Sequence, residues 1–202
     1  MLPHRPSTRL PAVLTPEDLS LAELSSARLD GEVYALGSAW CPVDEIDGPV
    51  NRARAVGLLV PVTAVAERAT AAWIFGLTAE PSCHELRLDS RARRHVSPSV
   101  HLRIREVRDP LTDTLELDGV HVTTPLRTAI DLALYRSDRH DNTAEARLLD
   151  LLASLLRYSG CRDDRAAQSR LAPLDSANAH RARARFRAVQ NLFDDEALPS
   201  RR

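Results

Sequence analysis

The residues with the clearest chemical potential in this chain are arginines. Arg91, Arg93, Arg94 and His95 form its densest basic cluster, and Arg103, Arg105 and Arg108 follow on a segment that alternates like a strand. Guanidiniums grouped in this way suit phosphate contact, which is sequence-independent and sensitive to salt. Charge that blunts a sheet edge against unwanted pairing suits the same residues equally well. Arg52 and Arg54 add basic positions on a predicted helix, and Ser25, Ser26 and Arg28 form the polar reach of an earlier one. Arginine can read guanine edges and serine can contact phosphates. Four carboxylates, Asp109, Asp113, Glu116 and Asp118, lie close enough in sequence to suggest metal-dependent phosphodiester cleavage. Their positions fit turns and strand ends better.

Other chemistry is poorly provided for. Every basic residue apart from histidine is arginine, which removes Schiff-base chemistry, phosphate-loop lysines and nuclease motifs that close on lysine. Cys41, Cys83 and Cys161 are scattered without a Cys-x-x-Cys pair, so they read as packed thiols and not as zinc ligands. No Gly-x-Ser-x-Gly, glycine-rich phosphate loop or His-Glu-x-x-His occurs. The expectation is a non-enzymatic protein with no cofactor, no metal and no catalytic residues.

Elements to carry these side chains follow from local signals. Residues 1–11 hold prolines and no periodicity and read as a disordered arm. Thr15-Pro16-Glu17-Asp18 reads as the start of a short helix, and Ser20-Leu21-Ala22-Glu23 as a capping box opening a second over about 21–29. Residues 32–36 and 39–42 flank Gly37-Ser38 as a hairpin. Helix, helix and hairpin is the order of a winged helix. Residues 50–59 and 62–75 read as Ala- and Val-rich helices. Four short strands then fall near 86–89, 100–105, 115–117 and 120–122. A Leu-rich helix opens near Asn142 and ends at Gly160. A last helix over about 176–193 carries the stripe Ala182, Phe186, Val189 and Phe193, flanked by Arg181, Arg183, Arg185 and Arg187.

The most specific stretch is Gly119-Val-His-Val-Thr-Thr-Pro-Leu-Arg-Thr-Ala-Ile-Asp-Leu-Ala133. A short β-branched strand behind the Asp118-Gly119 turn runs into a helix with Thr124 as N-cap and Pro125 at its first position, where a missing N–H costs nothing. Arg127 and Asp131 can pair across one turn. This run resembles the hallmark segment of AbiEi-type antitoxins of type IV toxin–antitoxin systems. Ala71-Ala72-Trp73-Ile74-Phe75-Gly76-Leu77 is similar to that family's small-small-aromatic helix, and Leu24 to Pro42 to its helix followed by a wing. The resemblance covers about residues 12–135. It implies an N-terminal winged helix-turn-helix that binds operator DNA and a second domain whose basic residues also touch nucleic acid. It also implies repression of the protein's own operon and opposition, without a stable complex, to a nucleotidyltransferase-like toxin encoded nearby. The nuclease-like C-terminal domain of some relatives is expected to be lacking, since its closing Glu-x-Lys does not occur.

Composition sets the remaining bounds. The chain has 202 residues and 44% hydrophobic content, enough for a real core. No run approaches the roughly 20 apolar residues that span a bilayer, and residues 1–6 lack the apolar region of a secretory signal. A cytoplasmic location without membrane contact is therefore expected. Net charge is −1, unlike a typical nucleic-acid binder, but it is segregated: residues 1–48 carry 3 arginines against 8 carboxylates, residues 49–108 carry 10 against 5. The reading is an α+β protein divided into the arm, a winged helix-turn-helix-like unit over 12–48, an α+β domain over 49–135 and a helical extension over 136–202. Its function is expected to be DNA-binding autoregulation as an antitoxin, with a homodimer as a further possibility. The contact residues are expected to be Ser25, Ser26, Arg28, Arg52, Arg54, Arg91, Arg93, Arg94, Arg103 and Arg105. The alternative is an interaction module of the same fold that has lost DNA binding, using its acidic N-terminus and Leu-rich helix.

Overall fold

Local capping fixes the first helix. Ser20 accepts the Glu23 amide while the Glu23 carboxylate accepts the Ser20 amide at 2.8 Å, so both ends of a capping box are made and α1 runs Leu21–Leu29. A computed structural model describes residues 10–91, 101–135 and 142–197; Arg93, Arg94, His95 and most of the N-terminal arm lie outside the described residues. The short helix expected at Thr15 is instead a turn. The Asp18 carboxylate accepts both the amide and the hydroxyl of Thr15, at 2.9 and 3.0 Å, closing the chain on itself before a second helical turn can form. After α1, β1 (Val33–Leu36) and β2 (Ala39–Pro42) pair antiparallel about Gly37, whose φ of 62° the two-residue turn requires. Leu14 bridges Trp40 through hydrogen bonds of 2.7 and 3.0 Å. Leu14, Leu24 and Val33 form the small core of this unit.

The rest is built on a five-stranded mixed sheet, so the class is α+β. In chain order it comprises α2 (Pro49–Gly57), β3 (Val65–Ala66), α3 (Arg68–Ile74), β4 (His84–Asp89), β5 (Leu102–Val107), β6 (Thr114–Leu117), β7 (Val120–Thr123), α4 (Pro125–Leu134), α5 (Asn142–Tyr158), α6 (Arg165–Leu171) and α7 (Ala177–Ala197). The helix expected over 62–75 is interrupted. Val65 and Ala66 form the central strand β3, and Arg68, at φ 50°, turns the chain from the strand into the start of α3. A fully buried two-residue strand has no alternation to reveal it.

Strand order is β5-β4-β3-β7-β6, with β3 parallel to β7 and β4 parallel to β5. Alternation sends Leu86, Ile104, Leu115 and Val122 to one face, which meets the main core. A Cβ at Gly57 would lie 2.8 Å from Cγ2 of Val120, so glycine permits the close approach of α2 to β7. Glu85, Arg87, Asp89, Arg103 and Arg105 share the opposite face by the same alternation. The link from β5 to β6 must pass from one sheet edge to the other in residues 108–113, and Arg87 holds it by donating to the Thr112 carbonyl at 2.7 Å.

β7 delivers the chain into α4 as the sequence suggests, with Thr124 accepting the Arg127 amide at 3.3 Å and Pro125 in the first turn. Thr123 and Thr128 hydroxyls meet at 2.7 Å and lock strand to helix. α5 and α7 pack on α4, contributing Leu152, Leu155, Leu156, Phe186, Val189 and Phe193 to the same core as Ile74 and Ile130. Arg185 of α7 is buried. It holds Glu145 of α5 through two 2.7 Å contacts and donates to the Ala133 and Tyr135 carbonyls at 2.8 and 3.1 Å. These satisfy acceptors that the end of α4 leaves open. Among the described residues, no helix is long and apolar enough to cross a membrane.

Candidate nucleic-acid interface

α1 presents Ser25, Ser26 and Arg28 on its exposed side because Leu24 is the one residue of the helix that is buried. Ser25 donates to the Leu21 carbonyl at 2.6 Å, and Ser26 lies 3.5 Å from Asp30. Arg28 is exposed and has no ion-pair partner among the described residues. Glu17, Asp18, Glu23, Asp30 and Glu32 are exposed on the same small unit.

The other arginines singled out are mostly engaged. Arg52 grips Asp47 through two 2.7 Å contacts, donates to the Trp73 carbonyl at 2.8 Å and lies over the Trp73 ring. Its guanidinium holds the Asp47 carboxyl below the usual carboxylate range. Arg54 bonds Asp118 in the β6–β7 turn and Asn51 on its own helix, lowering the Asp118 pKa in turn. Arg91 bridges Asp89 and Asp109 at 3.2 and 2.8 Å. Arg105 chelates Glu67 at 3.1 and 2.6 Å. The fold therefore does not gather the expected contact residues into one patch. Arg103 and Arg105 share a strand face; the α1 trio and Arg91 stand apart from them in separate elements.

Around β5 the structure assembles a charge cluster that sequence spacing did not reveal. Glu67, 1% exposed, closes β3 and caps α3 without a side-chain cap bond. Arg68 contacts it at 3.9 Å and Glu85 at 3.4 Å, and the Ala69 amide donates to Glu85 at 3.4 Å. Arg103, 62% exposed in its side chain, reaches Glu85 at only 3.9 Å. Its Nη1 also donates to the Tyr135 hydroxyl at 3.4 Å, while the Arg68 guanidinium lies 4.8 Å over the Tyr135 ring. Arg87 is buried beside them, and burial lowers its pKa. The Nε atoms of Arg68 and Arg87 are buried with no hydrogen-bond partner among the described residues. Nothing in the spacing of Arg68, Arg87, Glu67 and Tyr135 along the sequence points to this cluster.

Energetics separate the members of this cluster. Stripping Arg105 from a buried Glu67 would leave its carboxylate with no ionic contact but Arg68 at 3.9 Å among the described residues, a loss approaching that of a broken buried pair, about 3–5 kcal/mol. A charged hydrogen bond to a new partner gives back about 1.5–3 kcal/mol, so Arg105 stays with Glu67. Arg103 shares its carboxylate with Arg68 and Ala69 and has far less to lose.

The four carboxylates near 109–118 do not converge. Asp109 pairs with Arg91, Asp113 with Arg170 at 2.7 Å and Asp118 with Arg54. Asp109, Asp113 and Asp118 all have φ between 51° and 55°, the left-handed turn geometry that aspartate tolerates. Among the described residues, no group of three or more His, Cys, Asp or Glu is placed to hold a metal ion. No family model and no curated protein matches the chain.

Proposed function

We propose that this protein is a non-enzymatic, cytoplasmic DNA-binding regulator of the kind its resemblance to AbiEi-type antitoxins implies, acting on the operator of its own operon. In this reading α1 and the β1–β2 hairpin serve as the reading helix and wing of a winged-helix-like unit, with the turn closed by Thr15 and Asp18 in the place of a first helix. Arg28 addresses a base edge, and Ser25 and Ser26 contact phosphate oxygens. The observation that carries the reading is the exposed side of α1, where a rigidly capped helix offers Arg28 with no ion-pair partner among the described residues and a hairpin follows directly. Arg103 supplies a backbone contact from the second region, because its carboxylate is shared. The nucleotidyltransferase-like toxin is the functional opponent in this scheme.

One observation favours a second reading. Leu21 and Leu29 of α1 are exposed, Leu29 by 89%, among carboxylates that repel a phosphate backbone. An apolar, acidic helix face fits a basic protein surface, as in an interaction module that has lost DNA binding. Fluorescence anisotropy with the DNA upstream of the gene, at low salt and then at rising salt, separates the two. The DNA reading expects binding that weakens with salt and falls about ten-fold in R28A, the discrimination of a good base contact. Absence of binding by the wild type at low salt rejects it in favour of the protein module.

A further inference from the structure

Tyr135 is an exposed aromatic held more firmly than an exposed residue needs. Its backbone carbonyl accepts from Arg185, which α7 and Glu145 fix in place. Its ring lies under the Arg68 guanidinium at 4.8 Å, and its hydroxyl accepts from Arg103 at 3.4 Å. Three arginines from three different elements therefore set one tyrosine, which remains 41% exposed. An aromatic fixed before binding loses little entropy when a planar group stacks on it.

Charge at this end of the sheet points the same way. Arg68, Arg87, Arg103 and Arg105 stand against Glu67 and Glu85, a local surplus of two positive charges in a chain whose net charge is −1. Arg105 is committed to Glu67 and Arg87 is buried, so the accessible part of the surplus resides on Arg103, beside the Tyr135 hydroxyl. Every base has a π-face to stack, and in a duplex those faces are covered; an aromatic next to an exposed guanidinium whose one carboxylate contact is long matches a base that is unpaired together with its phosphate.

We propose that Tyr135, Arg103 and Arg68 form a stacking-and-phosphate site for an unpaired nucleotide, so that this end of the sheet binds single-stranded nucleic acid. The site shares the nucleic-acid reading of the β5 surface given above and is independent of α1. Arg103 neutralises the phosphate, Tyr135 carries the base, and Arg68 keeps the ring oriented.

The test is anisotropy of labelled oligothymidylate, and separately of the upstream duplex, with the full-length protein. Replacing Tyr135 by Ala is expected to weaken oligothymidylate about ten-fold, the usual effect of one stacked base, and to leave the duplex bound as before. Y135F keeps the ring and is expected to keep single-strand affinity. R103A is expected to weaken single-strand binding and reduce its salt slope by about one ion. Y135F and R103A leave the ring and backbone in place, which keeps the test valid if Y135A unfolds. R28A is expected to weaken only the duplex. Wild-type indifference to oligothymidylate, or either R103A or a folded Y135A binding it like the wild type, overturns the site whatever α1 does. If the duplex is not bound but Y135A abolishes single-strand binding, the α1 reading fails and this one stands.

Discussion

The helix-and-hairpin unit and the sheet with its C-terminal helices handle charge in opposite ways. In residues 10–48 no charged residue is buried, and the unit rests on a core of Leu14, Leu24 and Val33 beside a few side chains shared with the main cluster. In the larger region Glu67, Arg87 and Arg185 are buried and bonded across elements distant in sequence, and buried Asp131 is paired with Arg127 one turn away on α4. One region turns its carboxylates outward. The other uses its ions as internal fasteners. Local counts of charge thus misstate the surface: among the described residues, the segment richest in arginine has most of them occupied, while the acidic segment presents its carboxylates and Arg28 to solvent.

The contrast can be broken most directly at the larger core. Phe186 is fully buried between α7 and its neighbours, so F186A is expected to cost about 4 kcal/mol from lost burial plus the cavity left behind. Urea unfolding should show one transition at lower midpoint with unchanged slope. A variant within 1 kcal/mol of the wild type by this measure (about a quarter of the expected loss) would mean that α7 is not integral to the fold.

Arg185 tests whether buried ions really fasten this region. R185A leaves the Ala133 carbonyl without its donor and Glu145 without its partner. Since Glu145 is partly exposed, the expected cost is at the lower end for a broken buried pair, about 3 kcal/mol. R185K should not restore it, because one ammonium cannot chelate a carboxylate and reach two carbonyls in the same plane. Full recovery in R185K would reduce the role of Arg185 to bulk charge.

Leu24 probes the small core. L24A is expected to cost about 2–3 kcal/mol, but locally. Amide exchange in α1 and β1 should accelerate while amides of α4 and α7 keep their protection. Uniform acceleration across both regions would show one cooperative unit and remove the basis of the comparison.

These regions also differed in how far the sequence disclosed them. α1, the hairpin and the Thr124-Pro125 joint are written in short-range signals: a capping box, a Gly-Ser turn, a Thr-Pro cap. β3 is two buried residues with no period, and α6 is too short to show one. The site is harder still. Alternation places Arg103 and Arg105 on one face, but the partners that decide their availability, Tyr135 and Glu67, lie 32 and 38 residues away. Only the folded sheet brings them together.

A titration sharpens the contrast at smaller amplitude. His84 is buried against the Trp73 ring at 5.6 Å, with Thr70 at 3.4 Å and Glu80 at 3.5 Å, and burial lowers its pKa despite Glu80. Below the usual histidine value near 6.5 the unfolded chain takes up the proton first. Stability contributed by neutral His84 is therefore present above that value and declines as pH falls towards the folded pKa. H84Q should flatten this slope between pH 7 and 5 (about the range where histidine titrates). An equal slope in H84Q would assign the effect to carboxylates instead.

The smallest expected effect decides most about α1. Ser25 is exposed, and its hydroxyl bonds back to the Leu21 carbonyl, an arrangement that competes with the helix and does not support it. Alanine is the better helix former by about 0.5 kcal/mol. S25A should therefore raise the unfolding free energy slightly if the residue has only a folding role to lose. If α1 reads DNA, the same substitution should weaken duplex binding while stabilising the protein. The two measurements must then move in opposite directions, which a purely structural serine cannot produce. Stability and affinity rising together, or affinity unmoved, would transfer α1 from the DNA reading to the protein-interaction one.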